Sequence, residues 1–202
     1  DLPAVKIADS EQIKVGDIVF AIGNPMGVGL TVTSGIVSAT GRSIGIYGRE
    51  GYEDFIQTDA SINPGNSGGA LVDVEGRLIG VNSAILSRSG GNIGIGFAIP
   101  ANLAVNITRQ LTQSGEVRRG FIGVISAPLT ADMAEAFGLS KTKGVLVDQV
   151  IEGLPAAKAG LKRGDIITAI DGEAVDSPKD LRLTVSQKAP GSTIKLKAVR
   201  DG

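Results

Sequence analysis

The sequence predicts a mainly β chain of two domains, and three observations carry that prediction. Between Ile18 and Ala98, short runs rich in Val, Ile, Phe and Thr are bounded by glycine and polar turn residues, the pattern of an all-β barrel or sandwich. Glycine supplies 29 of the 202 residues, enough for many tight turns between short strands. After Gly115 the pattern changes to strands interleaved with short helical segments, as in a smaller mixed domain.

In order, the first-domain strands are Ile18 to Ile22, Thr31 to Ala39, Phe55 to Thr58, Ala70 to Val74, Leu78 to Asn82 and Ile93 to Ala98. Glu75-Gly76 reads as a hairpin turn, and strands this close in sequence are expected to pair antiparallel. Pro100 then opens a helix in which Leu103, Ile107 and Leu111 form one apolar row, with Gly115 just past its end. That helix closes a domain spanning 1–115, and the charged, glycine-ended stretch Glu116 to Gly120 leads into a second, 116–202. There Phe121 to Ile125, Val145 to Val150, Asp165 to Ile170 and Thr193 to Arg200 read as strands, and Ala131 to Phe137 as a short helix. Asp171-Gly172 is a tight turn, and Ser177 caps a helix with Pro178 at its first position, Asp180 in its first turn and Leu181 and Val185 on its apolar face. Asp201-Gly202 reads as a hairpin turn with no partner strand after it, so the second domain is expected to lack its last strand.

Composition excludes several function classes. A formal charge of −1 with both signs scattered gives no field to attract nucleic acid or an anionic bilayer. No apolar run approaches the roughly 20 residues of a membrane-spanning helix. With no Cys and no His, the usual ligands of zinc, copper and iron–sulfur centres are missing, so no metal or other cofactor is expected. The glycine-rich segments Gly23 to Gly35 and Gly90 to Gly96 lack the Gly-Lys-Ser/Thr ending of a phosphate loop, which argues against a nucleotide site.

The stretch that carries chemistry is Asp59-Ala60-Ser61-Ile62-Asn63-Pro64-Gly65-Asn66-Ser67-Gly68-Gly69-Ala70-Leu71. A serine among small and turn-forming residues, ahead of an apolar strand, is held where its hydroxyl can meet a bound carbonyl. Flexible glycines let two backbone N–H groups, here those of Gly65 and Ser67, converge on the oxyanion of an acyl-transfer intermediate. The five residues Gly-Asn-Ser-Gly-Gly alone are equally a polar hairpin loop.

The longer run Phe55 to Leu71, with Gly23-Asn24-Pro25 before it and Gly91 to Pro100 after it, closely resembles the trypsin-like serine proteases of the HtrA/Deg family. The resemblance implies a chymotrypsin-like antiparallel β-barrel half with a closing helix, followed by an α+β PDZ-like domain. It implies that Ser67 is the nucleophile, that Gly65 and Ser67 form the oxyanion hole, and that Ile62, Leu86 and Ile95 surround a small or medium aliphatic substrate side chain. Read as residue types, those three apolar side chains are equally barrel core. Arg42 matches an arginine that relays signals from the PDZ side in the family, although an exposed arginine ordinarily just solvates the surface. Phe121, Ile122, Gly123 and Val124, after Arg118-Arg119-Gly120, resemble the carboxylate-binding loop and recognition strand of bacterial PDZ domains. The other reading of those four is an ordinary core strand.

One departure governs the expected activity. A serine hydroxyl needs a base, which in this family is a histidine oriented by an aspartate, and the sequence has no histidine. Asp1 to Ile7 resembles the segment just after the catalytic aspartate, so Asp1 is not that aspartate, and the chain is expected to be a fragment without the amino-terminal barrel. The expected function is therefore a serine endopeptidase of protein quality control that cleaves unfolded proteins, inactive as this chain alone. The alternative is a non-catalytic module that binds hydrophobic carboxy-terminal peptides. The resemblance also implies a bacterial periplasm or cell-envelope location and trimers built through the amino-terminal part of the protease domain.

Overall fold

The computed structural model describes residues 3–46, 48, 51–87, 90–137 and 143–200, so Asp1 and the expected turn at Asp201-Gly202 lie outside the described residues. The chain divides into two compact units, Asp1–Glu116 and Val117–Gly202.

The first unit is a closed antiparallel barrel in the order β1-β2-β3-β6-β5-β4. Its strands are β1 (Ile18–Gly23), β2 (Thr31–Arg42), β3 (Phe55–Thr58), β4 (Ala70–Asp73), β5 (Leu78–Ile85) and β6 (Gly96–Pro100). Alternation decides which side chains fill it: Val19 and Ala21 of β1 point inward and are buried, while Ile18 between them and the turn is exposed. Val37, Ile56, Ala60, Ile62, Leu71, Ile79 and Ala98 complete an aliphatic cluster, and Phe55 and Phe97 are buried as well with their ring centroids 5.9 Å apart. Gly76, at φ +72°, turns β4 into β5, and Arg77 pairs with Asp73 across that turn at 2.7 Å. The last strand begins three residues later than the sequence suggested. Gly94 sits at φ +85° with its N–H bound to the Asn92 side chain at 2.7 Å, which holds the preceding residues in a loop. Helix α1 (Ala101–Ser114) follows Pro100 and packs on β5 and β6; Gly115 ends it at φ +73°, donating to the Leu111 carbonyl at 2.9 Å.

In the second unit β10-β9-β8-β7 run in order and β11 also pairs with β9. The strands are β7 (Val124–Pro128), β8 (Val145–Val150), β9 (Ile166–Ile170), β10 (Glu173–Ala174) and β11 (Leu196–Val199), with helices α2 (Ala131–Ala136), α3 (Pro155–Lys158) and α4 (Pro178–Ser186). Its core is Val145, Val147, Ile167, Ile170, Val175, Leu181 and Val185. The Ser177 side chain caps α4 by accepting the Asp180 N–H at 3.1 Å. Among the described residues β11 has no partner besides β9.

Two strand predictions need correction: the strand expected from Thr193 to Arg200 spans only Leu196–Val199, and the one expected from Phe121 to Ile125 is Val124–Pro128. Phe121 to Gly123 lie outside the ladder, which starts at Val124, because Gly123 adopts φ +82° and breaks the extended run. Leu154 packs where a side chain at Gly123 would stand, a Cβ there falling 2.5 Å from that of Leu154.

Candidate active site

The stretch Asp59 to Gly69 connects β3 to β4 and is fastened on three sides. The Asp59 carboxylate accepts the Ile36 N–H at 2.7 Å, and Thr33 Oγ1 donates to the Ser61 carbonyl at 2.9 Å, so β2 holds its start. The end of β1 holds its middle: Met26 N–H donates to the Pro64 carbonyl at 2.8 Å and Asn24 N–H to the Gly65 carbonyl at 3.3 Å. Asn82 of β5 holds its end, accepting from Gly68 N–H at 2.8 Å and donating to the Gly69 carbonyl at 2.9 Å.

Gly65 has φ +102°, and a Cβ there would fall 2.2 Å from the Asn24 carbonyl oxygen, so both conformation and space require glycine. Ser67 is exposed and its hydroxyl donates to the Ser83 carbonyl at 3.0 Å. Among the described residues the N–H groups of Gly65 and Ser67 donate to no acceptor, which leaves two backbone donors from one exposed turn uncommitted. Asn66, between them, is 2% exposed; its Nδ2 donates to the Ser61 carbonyl at 3.2 Å and its Oδ1 is buried without a partner. This arrangement can present a hydroxyl and receive an oxyanion, but it contains no base.

Of the three residues expected around the substrate side chain, Leu86 and Ile95 meet through their backbones, and Ile62 is linked to the same loop through Asn92 and Gly96. Leu86 N–H donates to the Ile95 carbonyl at 3.1 Å, Asn92 Nδ2 donates to the Ile62 carbonyl at 3.1 Å, and Ile62 packs against Gly96. Their side chains differ: Ile62 is 1% exposed within the barrel core, Ile95 is half-buried and Leu86 is exposed. Arg42 ends β2, and its Nε donates to Gln57 Oε1 at 3.0 Å. Beside it, a buried carboxylate that the sequence did not single out organises the next loop: Glu53 Oε2 accepts from Ser43 Oγ at 2.9 Å and from the N–H of Gly45 at 2.7 Å.

In the second unit, Phe121 and Ile122 line a cavity of about 890 Å³ together with Val185 and Lys188 at the end of α4. Among the described residues the N–H groups of Phe121, Ile122 and Gly123 donate to no acceptor, although the carbonyls of Ile122 and Gly123 accept from Ala156 at 2.8 Å and Ile151 at 2.9 Å. The following strand, β7, pairs only with β8 among the described residues and so has an open edge.

Asn82 and Ser83 were also not singled out from the sequence. The available signal was an Asn inside an apolar β run, a residue type that strands disfavour. Among the described residues no group of acidic side chains is arranged to hold a metal ion.

Comparison with known proteins agrees with this two-domain fold. The model of the trypsin-like peptidase domain matches residues 1–81 and that of the PDZ domain matches 120–202. The periplasmic serine endoprotease DegP of Escherichia coli (strain K12) is 52% identical over the whole chain. The chain belongs to the HtrA/Deg family. A probable periplasmic serine protease, do/HhoA-like, of Haemophilus influenzae is another member, 51% identical over the whole chain. Among solved structures, the HtrA-type protease AlgW with tripeptide is 48% identical and superposes with a TM-score of 0.79, covering 99% of this chain and 66% of that one. The chain spans 42% of DegP and 43% of the Haemophilus protein, less than half of either HtrA/Deg relative.

Proposed function

We propose that this chain is the nucleophile-bearing and peptide-binding part of a longer periplasmic serine endopeptidase that cleaves unfolded proteins. Ser67 attacks the scissile carbonyl, and the Gly65 and Ser67 N–H groups receive the oxyanion. The observation that carries this reading is the exposed Ser67 on a loop where, among the described residues, the N–H groups of Gly65 and Ser67 have no acceptor of their own. Because the 202 residues include no histidine, the base and the acid that orients it come from the part of the protein that this chain does not span. The relatives named as periplasmic serine proteases, more than twice as long as this chain, support both the location and the missing portion.

The 1–115 domain carries the chemistry and the 116–202 domain selects substrates or activating peptides by their carboxy termini. An extended peptide adds to the open edge of β7 while its terminal carboxylate takes the N–H groups of Phe121 and Ile122. Ile62, Leu86 and Ile95 set a preference for aliphatic side chains at the cleaved bond. Arg42 links peptide binding to the catalytic loop.

The test is casein cleavage by the full-length protein, its Ser67→Ala variant and this chain alone. Cleavage by the first and none by the other two supports the reading. Cleavage by Ser67→Ala refutes the nucleophile assignment. Cleavage by this chain alone refutes the need for an outside base.

The lack of histidine favours a second reading for the chain in isolation, a module that captures carboxy-terminal peptides without cutting them.

A further inference from the structure

We propose that Asn82 is a positioning residue for Ser67, an inference that rests on reading Ser67 as the nucleophile. Asn82 is 1% exposed in the middle of β5, where a strand filling a barrel needs only apolar volume. Instead the side chain spends both amide hydrogens on backbone: Nδ2 donates to the Ile22 carbonyl at 3.2 Å and to the Ala70 carbonyl at 3.1 Å. Its main chain binds the two residues that follow Ser67, Gly68 at 2.8 Å and Gly69 at 2.9 Å. One residue therefore joins the end of β1, the start of β4 and the turn that carries the nucleophile.

The next residue extends the effect to the hydroxyl itself. The β5–β6 register slips between Asn82 and Ala84, so Ser83 is the extra residue of a bulge. Its carbonyl accepts the Ser67 hydroxyl at 3.0 Å. Space around the clamp is tight, since a Cβ on Gly69 would fall 2.1 Å from the same Ile22 carbonyl that Asn82 binds.

The orphaned acceptor points the same way. Asn82 Oδ1 is buried without a partner, so the position uses the donors and carries the acceptor as a cost to stability. A side chain kept for packing alone would avoid that cost. Removing the donors frees the Ile22 and Ala70 carbonyls and lets the Gly68–Gly69 segment, and Ser67 with it, shift away from the reacting geometry.

The experiment compares the full-length wild type with Asn82→Ala and the strand-favouring, donor-free Asn82→Val, well below each unfolding midpoint, measuring kcat and KM on a peptide substrate. A fall in kcat of about 10- to 100-fold with KM within about twofold, in variants whose folded fraction matches the wild type, is expected. Wild-type kcat in either folded variant overturns the proposal, as does a loss of kcat that only follows the folded fraction. Should Asn82→Ala not fold, Asn82→Val decides on the same two numbers. Activity retained in Ser67→Ala overturns the nucleophile assignment instead, so the two failures are separable.

Discussion

Gly23 and Asn66 pack so closely that a Cβ on Gly23 would fall 2.6 Å from Asn66 Oδ1 and 2.8 Å from its Cα. The end of β1 is thereby a splint for the residue between Gly65 and Ser67, the two proposed oxyanion donors. Gly23→Ala must push Asn66 aside, and the expected loss is about 2 kcal/mol of barrel stability, typical of overpacking. Urea unfolding of the variant checks this; an unchanged midpoint would mean the loop yields without resistance.

A charge at Asn66 is expected to destabilise the barrel. Asn66→Asp removes the donor to the Ser61 carbonyl and puts a carboxylate where the side chain is buried and Gly23 leaves no room. Burial without a partner raises the folded-state pKa of such an acid, so the folded form binds the proton more tightly than the unfolded form. Stability is then lost as pH rises, by about 3 kcal/mol at neutral pH, and partly returns in acid. Unfolding midpoints measured across pH for variant and wild type test the sign.

The ion pair at the end of β11 should behave in the opposite way. Arg200 donates to Asp165 through Nε at 2.6 Å and Nη2 at 2.7 Å, and Lys162 N–H adds a third bond at 2.8 Å. Those bonds, the arginine first, hold the Asp165 carboxyl below its ordinary value of 3.8 against the opposing effect of burial. The contribution is full above that value and is lost as pH falls through the lower folded-state value. Arg200→Ala strands a carboxylate that is 1% exposed and is expected to cost about 3 kcal/mol, whereas Asp165→Asn leaves only a half-exposed arginine and costs less. Equal losses from the two substitutions would contradict this asymmetry.

Peptide capture by the second unit depends on a free carboxylate if the N–H groups of Phe121 and Ile122 are its receptors. A hydrophobic peptide with a free carboxy terminus is expected to bind at least about 10-fold more tightly than its amide, since a charged partner for two backbone donors is lost. Fluorescence anisotropy with the two peptides decides it, and equal affinities would remove the carboxylate from the recognition scheme.

Regular elements were legible where alternation ran uninterrupted: Phe55–Thr58 and Val145–Val150 were read with the bounds they have in the structure. Two of the errors sit at glycines with positive φ, while β2 and β5 run about three residues further than read and β11 begins at Leu196 rather than Thr193. Gly94 and Gly123 each follow or precede apolar residues that look like strand, and only the fold reveals that the backbone turns there. The Ser67 loop was visible through its residue types, but its supports were not. Asn66, Asn82 and Glu53 are polar side chains that residue type assigns to the surface, whereas each is buried and bonded to backbone, Asn82 to the distant Ile22 carbonyl of β1 and Asn66 and Glu53 to groups of their own loops.

The most direct test of the central claim is labelling of the full-length protein with a fluorophosphonate probe, which phosphonylates an activated serine hydroxyl with loss of fluoride. Stoichiometric labelling mapped to Ser67, abolished in Ser67→Ala and absent from the 202-residue chain alone, is the predicted result. Labelling at another residue, or persisting after Ser67→Ala, would contradict it.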